Sequence, residues 1–308
     1  MKTFLTILIS LLITLSVVSC GNITEYSLTT YGIAKESHSD SLLFFNTVES
    51  SIVTKNNSIE YLYDYGMSGN GLLYFSAGTA KKCDIDARFP YTLKRNNLYY
   101  TFGLKDNAIY VYESVNGYDY IPFNSGNPIL TKSTDKTSIW YNIWNVGVVI
   151  DDNNIMHVLV ECGPEEIGQE KVCLSYVQCA FNNDMNLDVV KTEDIFISGG
   201  GNPYLYYDAE TREIMIIYGM LNNSFNDLNA AHWWVASAIY SIDSKTLTRT
   251  DEKLSFGNPD IHVCDPHLAE FVDTTGTVKT MLIFSYDQNT VYSMIVDSSL
   301  KDIYKSIK

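Results

Sequence analysis

The first place in this sequence where acid–base chemistry could sit is a carboxylate that ends an apolar run. Glu161 closes Met156-His-Val-Leu-Val160 and is followed by Cys162-Gly163-Pro164. A carboxylate set in an apolar wall beside a sharp turn is short of water, so its pKa rises and it suits a general acid. The plain alternative is a strand-end carboxylate facing solvent, and the residue types leave both open. Asp265, in Asp265-Pro266-His267, is a second candidate, although Asp-Pro is also an ordinary turn opener. Asp84, Asp86 and Arg88 stand before Phe89-Pro90; Trp144 and Asn145 precede Val146-Gly147; Asn202 precedes Pro203. His267 and His157 could each be satisfied core residues, the commoner fate of a histidine in a strand.

These residues need elements to bring them together. The chain is rich in Tyr (23) and poor in Pro (7), and short β-branched and aromatic runs alternate with Asn, Asp and Gly clusters. That pattern predicts many short antiparallel strands, and no segment keeps a helical period over three turns. Three segments share a proline, a large ring and a leucine ahead of a polar turn and an aromatic or apolar strand: Phe89-Pro-Tyr-Thr-Leu93, Asn202-Pro-Tyr-Leu205 and Asp265-Pro-His-Leu268. A fourth, Asn145-Val-Gly-Val-Val149, keeps the order without the proline. Pro90, Gly147, Pro203 and Pro266 mark intervals of 57, 56 and 63 residues, and a fifth copy fits between Thr29 and Lys82. Several strands in each period of that size predict radial blades, hence an all-β, five-bladed β-propeller. A β-sandwich or two smaller β domains is the alternative. In a propeller, the starts of the innermost strands converge at one end of the axis, which is where the polar residues named above fall.

The five-fold repeat, the Asp-Pro at a repeat start and the Glu161-Cys-Gly-Pro164 segment resemble the five-bladed propellers of glycoside hydrolase families 43 and 32. In those families a Glu in a Glu-Gly-Pro or Glu-Cys-Pro setting is the general acid, an Asp near the first blade start is base or nucleophile, and another aspartate tunes or stabilises. The resemblance implies Glu161 as general acid, Asp86 as base or nucleophile, and Asp265 as a pKa tuner or sugar-hydroxyl partner. It departs in two places. The chain reads Ala87-Arg88-Phe89-Pro90 where the families place their first catalytic Asp beside a proline, and Asp265 follows Glu161 where the tuning aspartate should precede the acid. Glycoside hydrolysis needs two carboxylates flanking one bond, so a missing partner would leave a binding pocket. Sugar rings also stack on aromatic faces. Of Trp140, Trp144, Trp233 and Trp234, the expected platforms are Trp144 and Trp233, with core packing as the alternative. Arg88, Asn145, Asn202 and His267 complete the expected substrate-binding set.

The amino terminus reads as an address. Lys2 precedes the apolar run from Phe4 to Val18, which is short for a membrane span, and Val17-Val18-Ser19-Cys20 resembles the lipobox of bacterial lipoproteins. This predicts a signal peptide over 1–19, lipidation of Cys20, a tether over 20–28 and a propeller domain over 29–308, held by its lipid to the cell envelope at the outer membrane or cell surface. An ordinary secretory signal with a chance cysteine is the alternative. A formal net charge of −15 gives no electrostatic reason to bind nucleic acid. Five cysteines follow Cys20, so export would permit disulfides and leave at least one thiol unpaired. No Cys/His metal spacing occurs, and neither a metal nor a cofactor is expected.

Two functions are therefore expected from different classes. One is an envelope-anchored, glycan-acting glycoside hydrolase whose partner is an oligo- or polysaccharide. The other is a noncatalytic glycan-binding or scaffold propeller using the same cavity. A third, envelope assembly through blade edges, would show as a large exposed apolar patch.

Overall fold

The computed structural model describes residues 41–45, 50–64, 72–76, 79–166, 172–182, 186–221, 233–254, 263–286 and 290–308. The expected signal peptide, Cys20 and the tether lie outside the described residues.

Among the described residues, twenty-one strands form five antiparallel sheets. The first contains β2 (Ser50–Lys55), β3 (Ser58–Asp64), β4 (Leu72–Ser76) and β5 (Thr79–Lys82) in that order. The second contains β6 (Arg88–Arg95), β7 (Leu98–Lys105) and β8 (Ala108–Ser114), with the short β9 (Ile121–Pro122) and β10 (Leu130–Thr131) both paired to β8. The third runs β11 (Asn142–Ile150), β12 (Ile155–Gly163), β13 (Cys173–Phe181), β14 (Leu187–Ser198). The fourth runs β15 (Gly200–Asp208), β16 (Glu213–Leu221), β17 (Trp233–Ser241), β18 (Thr246–Leu254). The last has β19 (Val263–Val272), β20 (Val278–Tyr286) and β21 (Thr290–Val296), and its outermost strand is β1 (Ser41–Phe45), from the other end of the chain.

Local chemistry explains the meander. Asn56-Asn57, Asn96-Asn97 and Asp106-Asn107 all have positive φ, between 47° and 64°, which is the two-residue hairpin conformation that Asn and Asp tolerate best. The first strands of neighbouring sheets, β2, β6, β11, β15 and β19, touch in a closed cycle. The result is an all-β propeller. Pairing of β1 with β21 joins the two ends of the chain in one sheet and covers what would otherwise be an open strand edge. A closing helix, α1 (Leu300–Ile307), is capped by Ser299, whose side chain accepts from the Asp302 N–H. Its buried face is Ile303, Tyr304 and Ile307.

One irregularity positions the site. The pairing register shifts between Arg88 and Tyr91 in β6, Ile143 and Val146 in β11, Gly201 and Tyr204 in β15, and Cys264 and His267 in β19. Each shift inserts residues at the start of a first strand, and such bulges bend a strand and re-aim its side chains. Phe89, Asn202 and Asp265 inside them have φ of 53°, 47° and 53°, a left-handed conformation that costs a bulky residue most.

Candidate active site

The bulges bring Phe89, Asn145, Asn202 and Asp265 around one end of the propeller axis, each followed by Pro90, Val146, Pro203 or Pro266. They line a narrow cavity of about 20 Å3, room for roughly one water. Tyr91 and His267 form its floor. Their ring centroids are 4.7 Å apart, and Tyr204 meets His267 edge-on at 5.2 Å. Tyr91, Tyr204 and His267 occupy the same place in three repeats, and together they cross the axis as a plug. Below it, a wider cavity of about 450 Å3 opens toward the far ends of the same strands.

Glu161 lies beside this ring because of the β11 bulge. Ile143 pairs with Cys162 and Val146 with Val160, so Trp144 and Asn145 together face the single residue Glu161. Asn145 Nδ2 donates to Glu161 Oε2 at 2.8 Å, and the Asn202 backbone N–H donates to the same oxygen at 3.0 Å. Glu161 is 7% exposed. Burial pushes its pKa up, while the two donors hold it partly down. The neighbouring wall is glycine by necessity. A Cβ on Gly201 would stand 2.8 Å from Glu161 Cδ and 2.9 Å from Trp233 Cη2, and one on Gly219 would stand 3.1 Å from Trp233 Cε3. Trp233 thus packs its indole against the bare backbone beside the carboxylate.

Asp265 completes a carboxylate pair. Burial raises its pKa, the Cys264 thiol donating to Oδ2 at 3.3 Å lowers it, and the nearby charge of Glu161 raises it further. Oδ1 is buried without a hydrogen-bond partner among the described residues, as is His267 Nδ1. His267 Nε2 lies 3.3 Å from Ser51 Oγ, which also accepts the Thr92 N–H at 2.8 Å. Burial pushes the imidazole down to about 3, so it is neutral.

The structure thus gathers Glu161, Asp265, Asn145, Asn202, Trp233 and His267 at one end of the axis. Asp86 does not join them. The segment 83–87 is pinned to the turn between β8 and β9, where the Tyr120 N–H donates to Asp84 Oδ1 at 2.8 Å. It buries Cys83, Ile85 and Ala87, and strict alternation leaves Asp84 and Asp86 in water. Phe89 takes the axial position instead. Arg88 lies with its guanidinium 4.9 Å from the Phe89 ring centroid, behind the cavity lining. Trp144 is half-buried in the bulge and does not line the cavity. Gly201, Tyr91 and Tyr204 are additions to the expected set. The two tyrosines were visible as the ring position of the repeat, and Gly201 ends the run Gly199-Gly200-Gly201.

The five described cysteines are all buried, and Cys83, Cys162, Cys173 and Cys179 are free thiols. No group of three or more metal-ligating side chains occurs among the described residues.

Solved structures share this architecture. An endo-arabinase from Bacteroides thetaiotaomicron matches with a TM-score of 0.53 at 12% identity over 85% of this chain and 96% of its own. A putative glycoside hydrolase from Parabacteroides distasonis matches at 0.56 and 11% over 92% and 96%. An α-L-arabinanase of Cellvibrio cellulosa matches at 0.55 and 8% over 82% and 92%. No protein-family model and no curated protein sequence matches the chain. The chain shares its fold with these solved structures.

Proposed function

We propose that this chain is a lipid-anchored envelope propeller of five blades that hydrolyses glycosidic bonds. Glu161 acts as general acid and Asp265 as the second carboxylate of the site. The observation that carries the reading is the hydrogen-bonded burial of Glu161 beside Asp265. Two buried carboxyl groups close enough to feel each other's charge cannot both ionise easily, so one holds a proton at the pH where the other is charged. That is the state an acid–base pair needs. Trp233 supplies an apolar wall next to the acid, and Asn145 and Asn202 fix the carboxylate's orientation. A lipid on Cys20 would place the pocket where extracellular glycans arrive.

A second reading, a noncatalytic glycan-binding propeller, is favoured by Phe89. Of the four bulge residues at the axis only Asp265 is acidic, and Asp86 stands apart. A glycan array combined with a chromogenic-glycoside screen separates the two readings. Turnover by the wild type that is lost in Glu161→Gln supports hydrolysis, whereas binding by both forms with turnover by neither supports the second.

A further inference from the structure

Two thiols stand face to face one residue beyond Glu161, and the glycan reading makes no use of them. Cys162 on β12 and Cys173 on β13 are direct register partners. Their Sγ atoms are 3.6 Å apart, and both residues are at most 2% exposed. Facing residues in an antiparallel ladder have Cα atoms about 4.5–5.5 Å apart. That lies within the span of about 4.4–6.8 Å that a disulfide accepts. Among the described residues, Cys83 and Cys179 have no thiol facing them. Cys179 faces Met156, Cys264 donates to Asp265, and Cys83 lies against the Gly117 carbonyl.

We propose that Cys162 and Cys173 are a modification site, oxidised to a cross-strand disulfide that staples the Glu161 end of β12 to β13. The oxidant is an external disulfide, such as oxidised glutathione or an oxidoreductase disulfide. The Cys173 thiolate attacks one of its sulfurs and expels a thiolate. Cys162 then loses its proton and attacks the Cys173 sulfur of the mixed disulfide, expelling the second thiolate. Two protein thiols lose two electrons and two protons, and the external disulfide becomes two thiols. In the assembled ladder the hydrogen bond from Cys162 holds the Cys173 thiol below its ordinary value. Because both sulfurs are buried, exchange takes place as β12 and β13 assemble or when that ladder end opens. The inference stands on strand register and is independent of the glycan reading.

The test equilibrates the full chain in glutathione redox buffers, blocks free thiols after denaturation and maps the peptides by mass spectrometry. The expected product is a single linked pair of peptides carrying Cys162 and Cys173, lighter by two hydrogens, with Cys83, Cys179 and Cys264 blocked. Amide exchange at Glu161 and Leu174 should be at least about tenfold slower in the oxidised than in the reduced form, because the link removes local opening at that ladder end. The difference should vanish in Cys173→Ser, and Cys162→Ser serves equally should that variant fold poorly. Finding both cysteines blocked, either one joined to a different cysteine, or equal exchange in the two redox forms would overturn the proposal.

Discussion

Asn145 and Glu161 meet across a bulge in which two residues of β11 face one residue of β12, and a 2.8 Å hydrogen bond joins Nδ2 to Oε2. The contact sets both the direction and the proton affinity of the carboxylate. A hydrogen bond to a charged group is worth roughly 1.5–3 kcal/mol, and one pKa unit corresponds to about 1.4 kcal/mol. Asn145→Ala should therefore raise the Glu161 pKa further, read from the carboxyl 13C shift during an NMR titration. An unchanged titration would mean that the bond is not maintained in solution.

Asp265 should make stability fall with rising pH. Its folded pKa is raised, chiefly by burial, above an unfolded value of about 3.9. The contribution is fully present below that unfolded value and is lost as pH rises through the folded one. The folded value is about 8, so Asp265→Asn should match the wild type in Tm near pH 4 and exceed it by several degrees near pH 8. Thermal melts at the two pH values check this. A variant that melts lower at both would show that the ionised carboxylate is favourably bound.

Gly201 and Gly147 should fail differently. A Cβ at Gly201 meets the Glu161 carboxylate and the Trp233 ring, whereas one at Gly147 would stand 2.4 Å from the Pro203 carbonyl oxygen, between two first strands. Side chains can move aside and backbone cannot. Gly147→Ala should lose about 1–3 kcal/mol of stability, the usual cost of overpacking. Gly201→Ala should lose less stability and more glycan turnover or binding. Parallel denaturant unfolding and activity assays would reveal the contrast.

Removing β1 should open the last sheet. Strand β21 would lose its outer partner along the register Ser41–Ser293 to Phe45–Thr290. A chain starting at Ser50 is expected to melt several degrees lower, with amide exchange accelerated first in β21. Unchanged exchange there would show that the closure adds nothing.

Much of this architecture was legible because its punctuation is local. Prolines before ring residues mark the first strands at Pro90, Pro203 and Pro266, and the apolar run before Glu161 marks a buried strand. What depends on pairing was not legible. Nothing near Ser41 tells that β1 pairs with β21 at the opposite end of the chain. The meeting of Asn145 with Glu161 follows from a register shift, which no side-chain pattern encodes. Asp86 was misplaced for a related reason: the Cys83–Ala87 alternation was readable, but the anchoring of Asp84 to the turn at Tyr120, which decides the face that points inward, is a contact across 36 residues.

The proposed role of Glu161 is to donate a proton to a departing sugar oxygen. The most direct measurement is kcat/KM for wild type and Glu161→Gln on a pair of aryl glycosides, one with a poor and one with a highly activated leaving group. A general acid matters in proportion to the help its leaving group needs. With Glu161 as the acid, Glu161→Gln should lose about 100- to 10,000-fold on the poor leaving group and much less on the activated one. Equal losses on both substrates, or no loss on either, would contradict it.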